Sequence, residues 1–181
     1  PDSASGIREA SYYFHGAVER VGAPGVRPLL MPGRRAMTAK SITPDDLRAA
    51  LPNTSSALTL KGLESNLQVY RDTYGIPHVR AQSLHDAFFG QGFVAAQDRL
   101  WHMDYDRHRA YGRWAEFAGH TAIAQDRQMR RFQIGPSVRR DYENLNGETR
   151  AMLGAYAVGV NAFIDSRKLP VEFDLVGDTP E

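Results

Sequence analysis

Carboxylate and imidazole side chains recur at helical spacing near the middle of the chain. Asp98, His102 and Asp106 lie four residues apart, as do Asp104 and His108. On an α-helix this spacing places the side chains on one face, where they suit metal binding or general acid and base chemistry. A hydrated face, ion-paired with neighbouring arginines, explains the same pattern and is the commoner use of it. We therefore predict no metal site and no catalytic residue here; loss of a bound metal on His102→Ala would overturn this prediction.

Serine nucleophiles and phosphate-binding loops are equally hard to place. Ser83, Ser137 and Ser166 lie in no GxSxG-like elbow, and no serine, histidine and acid order stands out. Gly90 and Gly92, in the sequence GQGF, follow no strand and precede no lysine. We predict that these glycines let a neighbouring backbone approach closely, and that the chain has no cofactor-binding residue.

The composition is that of an ordinary globular chain. Of its 181 residues, 42% are hydrophobic and 24% are charged, and the formal net charge is +1, which argues against a polyanion as the main partner. Cysteine is absent, which excludes disulfides and thiolate nucleophiles. No apolar run approaches the roughly 20 residues that span a membrane, and the first residues lack the pattern of a signal peptide.

Arginine is frequent between Arg99 and Arg140, which raises nucleic-acid binding as an alternative. Carboxylates are interleaved with these arginines, and no DNA-binding or RNA-binding motif accompanies them. Arginines paired to carboxylates within the fold explain the pattern better, so we predict no nucleic-acid partner.

The first part of the chain differs in composition from the rest. Residues 1–42 are rich in glycine, proline and arginine and predict a partly irregular extension on the surface. Thr43 and Asp46 then form a capping box for a short helix. We predict an N-terminal extension with this helix over residues 1–52 and the main body over residues 53–181.

Strands are predicted next, followed by helices. Apolar alternation at 58–60, 67–69 and 76–79 predicts an antiparallel meander, with Pro77 at a strand start or an edge. Ser83 and Asp86 open a helix predicted to reach about residue 118. Its buried stripe is Phe89, Phe93, Ala96, Leu100, Met103, Ala110 and Trp114.

The remaining third of the chain is predicted to be helical and then extended. A polar helical stretch covers about 126–144, and a last helix begins near Asn146. The final residues, from about 169, are predicted to be extended. The residues that the last helix is predicted to bury are Leu153, Tyr156, Val160 and Ile164.

Five pieces of sequence follow one another in a specific order: RDxxGIPH at 71–78, DAFFGQGF at 86–93, AQDRLWxMD at 96–104, an arginine at 107, and GRWAEFAG at 112–119. In this order they closely resemble the N-terminal segment of the penicillin acylase family. A match to one piece would be weak, whereas five in order are specific. We call the following the signature residues: Arg71, Asp72, Gly75, Pro77, His78, Gln97, Asp98, Arg99, Arg107, Gly112 and Glu116.

The resemblance covers about Leu58 to the end and implies the α-chain portion of an N-terminal-nucleophile hydrolase. In this family a precursor cuts itself into a small α chain and a larger β chain, and the first residue of the β chain, usually serine, is the nucleophile. The α-amino group of that residue, with an ordinary pKa of about 8, acts as the base. We therefore expect an α+β chain, mainly helical with a small antiparallel β element, that is part of an αββα heterodimer and holds no catalytic residue.

The resemblance also implies a class of substrate. The family hydrolyses acyl amides in β-lactams, N-acyl homoserine lactones and acylated peptides, which links a linear-amide hydrolase to antibiotic resistance or quorum quenching. The family's acyl-pocket residues and calcium ligand come after the stretch matched here, so calcium stays open for the assembled enzyme only. The expected compartment is periplasmic or extracellular, with a cytoplasmic location left open.

Two alternatives remain at the level of sequence. One is a non-catalytic assembly module that retains the acylase scaffold, and the other is an arginine-rich helical binding protein. A co-purifying β chain with an N-terminal serine would separate the hydrolase from both. Retention on DNA that falls steeply with salt would favour the binding protein.

Overall fold

A computed structural model describes residues 10–17, 41–166 and 169–180 of the chain, the first range by its backbone alone. Residues 1–9 and 18–40 of the predicted N-terminal extension lie outside the described residues, and the boundary at residue 52 stays a prediction. The described helices are α1 (Pro44–Ala50), α2 (Leu84–Ala110), α3 (Ala115–Ala118), α4 (Ile123–Arg131), α5 (Ile134–Asn144), α6 (Gly147–Ser166) and α7 (Val171–Val176), with a 3₁₀ helix at Gly119–Ala122.

The chain divides into two compact units. The first contains the β-sheet, α2 as far as Gln97 and most of α6. The second contains α2 from Asp98 onward together with α1, α3, α4, α5 and α7. The backbone of α2 leaves helical geometry at Arg99, where φ is −143° and ψ is 18°.

The strands of the sheet in the first unit are β1 (Ala10–Ala17), β2 (Leu58–Lys61), β3 (Leu67–Arg71) and β4 (Pro77–Arg80). Their order in the sheet is β2-β1-β3-β4. Strand β1 runs parallel to β2 and antiparallel to β3, and β3 forms an antiparallel hairpin with β4. The predicted meander is confirmed for β3 and β4 and wrong for β2, because β1 lies between β2 and β3.

Residues 10–17 of the predicted, partly irregular extension form β1, a strand that the sequence analysis did not single out. This segment reads ASYYFHGA, and its aromatic residues favour extended backbone. Its partners lie about fifty residues further along the chain. A local pattern search cannot find such non-local pairing. The placement of Pro77 at a strand start on the sheet edge is confirmed.

Small residues bring α2 and α6 into backbone contact in the first unit. A Cβ placed on Gly92 would lie 2.0 Å from the carbonyl oxygen of Tyr156, and one on Gly159 would lie 2.0 Å from that of Phe89. The predicted close approach of a backbone is therefore confirmed at Gly92 and wrong at Gly90, where the nearest atoms belong to the side chains of Leu67 and Val79. Phe89 and Phe93 are fully buried at this contact.

The buried face of α6 differs from the predicted one. Ala155, Gly159 and Phe163 are buried, whereas Leu153 is 47% exposed. The predicted residues Tyr156, Val160 and Ile164 are only partly buried. The smallest side chains permit the closest helix packing, so the contact line follows them and not the large apolar residues.

One predicted helix boundary and one predicted extended segment are also wrong. Helix α2 ends at Ala110 and not near residue 118, because the chain turns at Gly112, whose φ is 64°. The predicted extended end is helical over α7, which buries Val171 and Phe173. The helical stretch at 126–144 and the start of α6 near residue 146 are confirmed.

The core of the second unit is aromatic. The ring of Trp101 meets those of Phe117 and Phe173 edge-on at centroid distances of 5.9 and 5.2 Å.

The capping box at Thr43 is confirmed, since its amide bonds Asp46 Oδ2 at 3.0 Å and its Oγ1 accepts from the Asp46 amide at 3.2 Å. Within the described ranges, no helix is long and apolar enough to cross a membrane. The predicted fold class, mainly helical with a small sheet, is confirmed.

Candidate functional site

The RDxxGIPH sequence forms a tight turn in which the Asp72 carboxylate accepts hydrogen bonds from backbone amides of the same turn. Asp72 Oδ1 accepts hydrogen bonds from the amides of Tyr74 at 2.9 Å and Ile76 at 3.0 Å, and Oδ2 lies 3.1 Å from His78 Nε2. The bond to His78, with help from the backbone amides, holds the pKa of Asp72 below its ordinary value. Gly75 supplies the left-handed backbone that the turn needs, with a φ of 78°.

Arg71 fixes this turn to helix α2. Its Nη1 donates to the carbonyl oxygen of Gly75 at 2.9 Å, and its Nη2 donates to Gln97 Oε1 at 2.9 Å. On strand β4, His78 stacks on Tyr70 with the ring centroids 4.7 Å apart. Signature residues from two separate sequence motifs, RDxxGIPH and AQDRLWxMD, therefore meet in one hydrogen-bonded cluster.

The loop between β2 and β3 is held by a buried carboxylate. Asp86 Oδ1 accepts from the Glu64 amide at 2.9 Å, and Oδ2 accepts from the amide and hydroxyl of Ser65 at 2.9 and 3.0 Å. Burial alone raises the pKa of Asp86, but these hydrogen bonds and one from His85 outweigh burial, so the pKa is lowered. The Asp86 amide also donates to Ser83 Oγ at 3.1 Å, the expected half of a capping box.

Glu64, His85 and Asp86 form a group within the described residues whose ligand atoms lie within 4.8 Å of one another, close enough to hold a cation. Both carboxylate oxygens of Asp86 already accept hydrogen bonds from the protein. The group therefore serves to join the β2–β3 loop to the start of α2. Sequence analysis did not identify it, because Glu64 and His85 are far apart along the chain.

A second buried cluster surrounds His108 in the other unit. His108 and Asp104 are each 3% exposed, and His108 Nδ1 lies 2.9 Å from the carbonyl oxygen and 3.6 Å from Oδ2 of Asp104. On the other side of the ring, Nε2 lies 3.9 Å from Glu116 Oε2. Arg113 binds Glu116 through Nε and Nη2 at 2.8 and 2.9 Å. Arg107 Nη1 lies 3.5 Å from Asp104 Oδ1.

The GRWAEFAG segment is tied to helix α4. Asp126 Oδ1 accepts from the Trp114 amide at 2.9 Å, and Oδ2 accepts from the Ala115 amide at 2.7 Å, which caps the first turn of α3. Arg130 Nε donates to the carbonyl oxygen of Gly112 at 2.8 Å. Gly112 is required here, since a Cβ would lie 2.6 Å from the Asp126 carbonyl oxygen.

The candidate acid and base face of α2 is a surface feature. Asp98, Arg99, His102 and Asp106 are all exposed. His102 Nε2 lies 3.4 Å from Asp106 Oδ2, with 68% and 59% of the two side chains exposed, which is the geometry of a weak surface ion pair. The structure thus gathers Arg71, Asp72, Gly75, His78 and Gln97 into one cluster. It gathers Arg107, Glu116 and their partners into another.

Comparison with known proteins gives these clusters a family context. A sequence model of the family described as penicillin amidase matches residues 66–181. The chain is 46% identical over 136 residues to the penicillin acylase 2 proenzyme of Pseudomonas sp. (strain SE83), a match over 75% of this chain and 18% of that protein. It is 38% identical over 133 residues to the acyl-homoserine lactone acylase QuiP of Pseudomonas fluorescens, over 72% of this chain and 16% of that protein.

A solved structure shows the same similarity. A thermostable penicillin G acylase from Alcaligenes faecalis superposes with a TM-score of 0.57 and 32% sequence identity, covering 64% of each chain. The chain spans less than a fifth of the length of the two curated relatives.

Proposed function

Because the chain belongs to the penicillin amidase family, we propose that it is the α-chain portion of an acylase that hydrolyses linear amide bonds. The observation that supports this most is the ordered set of signature residues together with 46% identity to a penicillin acylase proenzyme. The hydrogen bonds of Asp72 and the buried contacts of His108 support a structural role for the signature residues in those two clusters.

The chemical step belongs to the remaining polypeptide in this proposal. An N-terminal serine there attacks the amide carbonyl while its own α-amino group takes the hydroxyl proton. The α-amino group then passes this proton to the nitrogen of the departing amine as the C–N bond breaks and an acyl-enzyme remains. Water then attacks the acyl-enzyme, the acyl–oxygen bond breaks, and the acid is released as the serine hydroxyl regains a proton. The chain described here supplies packed helices and a sheet on which that active site is built.

The substrate is an acylated amide of the kind named for the relatives. The curated relatives are named as acting on penicillin and on acyl-homoserine lactones, and we propose the same two classes for the complete enzyme. The substrate proposal is tested with the processed enzyme obtained from the whole precursor. Release of the amine is measured from a penicillin and from an N-acyl homoserine lactone. Activity on either supports the proposal, whereas inactivity on both, with processing complete, would contradict it.

The isolated chain provides a control for that experiment. It is expected to hydrolyse neither substrate, because the proposal places the nucleophile on the other chain. Hydrolysis by this chain alone would place the nucleophile within these 181 residues and would contradict the proposed division of labour.

A further inference from the structure

We propose that Asn146 is a site of spontaneous deamidation and that the first turn of α6 controls the rate of this reaction. Deamidation converts the asparagine into aspartate or isoaspartate without any enzyme. The inference concerns the covalent chemistry of the described chain and does not depend on the proposed function.

The sequence places an unhindered nucleophile next to the Asn146 side chain. Asparagine is a thermolabile residue, and of the five asparagines in the chain only Asn146 precedes a glycine. Because glycine has no Cβ, its amide nitrogen reaches the preceding side-chain amide with little steric hindrance. The residues that follow the other four asparagines all carry a Cβ that crowds this nitrogen: Thr54, Leu67, Leu145 and Ala162.

The reaction needs only the chain itself and water. The Gly147 amide nitrogen gives up its proton and bonds to Cγ of Asn146, while the side-chain nitrogen takes up a proton and leaves as ammonia. The product is a cyclic imide, a succinimide. Water then adds to one of its carbonyl carbons and breaks the bond from that carbon to the ring nitrogen. Attack at Cγ leaves aspartate, and attack at the main-chain carbon leaves isoaspartate.

The structure leaves the reacting atoms accessible to water. Asn146 and Gly147 are both exposed and lie where α5 ends, at Asn144, and α6 begins. Apart from its chain neighbours and the backbone of its own helix, no atom of the described residues lies within 4 Å of the position that a Cβ on Gly147 would occupy.

The start of α6 restrains both reacting groups. Asn146 Oδ1 accepts a hydrogen bond from the Thr149 amide at 2.7 Å, which caps the helix. The main-chain carbonyl oxygen of Asn146 accepts from the Arg150 amide at 3.1 Å, which holds the peptide plane that contains the Gly147 nitrogen. Ring closure brings Cγ onto that nitrogen by rotation about the bonds of Asn146, and this rotation stretches both hydrogen bonds. The ring therefore closes when the first turn of α6 opens.

Peptide mapping of the complete protein that contains this chain tests the site. The protein is incubated at mildly alkaline pH, and trypsin, which cleaves after arginine, then releases residues 141–150. This peptide also contains the matched control Asn144, which is exposed but precedes Leu145. Tandem mass spectrometry locates the conversion of amide to acid. We expect conversion at Asn146 and much less at Asn144; equal rates at the two positions would overturn the site.

The same mapping after incubation in guanidinium chloride tests the control by α6. We expect Asn146 to deamidate about fivefold or more slowly in the native protein than in the unfolded protein, because an N-cap shifts the local equilibrium by about that factor. Equal rates in the two states would overturn the control by the helix. Absence of conversion at Asn146 in the unfolded protein would overturn the site itself.

Two variants of Thr149 test whether the first turn is the element that opens. Both Thr149→Ala and Thr149→Gly lose the side chain and keep the amide that donates to Asn146, but glycine adds backbone freedom. We expect deamidation to be about threefold or more faster with glycine than with alanine. Equal rates, with unchanged circular dichroism, would contradict opening at this turn. The comparison of native and unfolded wild-type protein decides the question if Thr149→Gly fails to fold.

Discussion

At the scale of single residues, Asp86 shows how one buried carboxylate organises a loop. It is fully buried, and its two oxygens bond the amides of Glu64 and Ser65. We expect Asp86→Asn to lower the free energy of unfolding by about 2 kcal/mol, because an amide accepts at one atom only and leaves a buried donor unsatisfied. Urea unfolding measures this change. The exposed Asp141→Asn on α5 is the control, expected to change stability by less than about 0.5 kcal/mol; equal losses in both variants would contradict the account.

The Asp86 carboxylate makes the free energy of unfolding depend on pH under acidic conditions. The pKa of Asp86 is lowered in the fold from its ordinary value of 3.8. Its contribution to stability is therefore complete above pH 3.8 and is lost as the pH falls through the lower, folded pKa. The difference in unfolding free energy between the wild type and Asp86→Asn should shrink on acidification below that pH. A difference that grew with acidification would mean that the pKa is raised in the fold.

The candidate site could be predicted from the sequence in part only. Arg71 and Gln97 are recognisable as members of ordered motifs, but their hydrogen bond joins residues 26 positions apart. It exists because α2 packs on the sheet, and no local pattern encodes that packing. Asp104 and His108 were placed together correctly by helical spacing, whereas their burial depends on Phe117, whose ring lies 4.4 Å from that of His108.

At the scale of elements, the contact between α2 and α6 depends on glycine. A Cβ on Gly92 would overlap the backbone of Tyr156, so we expect Gly92→Ala to destabilise the fold by about 1–3 kcal/mol or more. Gly154→Ala on α6 is the matched control, since nothing lies within 4 Å of its Cβ position. Alanine there should stabilise the helix by about 0.5–1 kcal/mol. Thermal unfolding of both variants distinguishes the two effects, and a stabilising Gly92→Ala would refute the close helix contact.

Some structural elements are determined by residues close to them in sequence, and others are determined by distant partners. Caps such as Thr43 and the turn at Gly75 follow from short-range hydrogen bonds and backbone freedom, so the sequence predicts them. The position of β1 in the sheet and the buried face of α6 are set by distant partners, and these predictions failed. Helix α7 was missed because a six-residue helix has too few turns to show a period.

At the scale of the whole molecule, Asp98 tests whether the signature residues serve assembly. It is exposed on α2, immediately before the non-helical Arg99. We expect Asp98→Ala to reduce the yield of processed enzyme more than the turnover of each active site, because the proposed nucleophile lies on the other chain. Quantifying processed product and kcat on one preparation checks this. A normal yield with a lower kcat would argue for a part in the chemical step.

The family was predictable because order along the chain carries more information than any single motif. The pieces from RDxxGIPH to GRWAEFAG are individually weak, yet their sequence of occurrence agrees with the family match over residues 66–181. The substrate was not predictable in the same way. Specificity depends on side chains that line a pocket, and the residues that resemble the family here pack against one another instead.

The central claim is that this chain works as one part of a split hydrolase. Intact mass measurement and N-terminal sequencing of every polypeptide that co-purifies with it test that claim most directly. The account predicts a second polypeptide, larger than this 181-residue chain, that begins with serine and whose α-amino group is free. A folded, monodisperse preparation of this chain alone, with no partner from the same precursor, would contradict it.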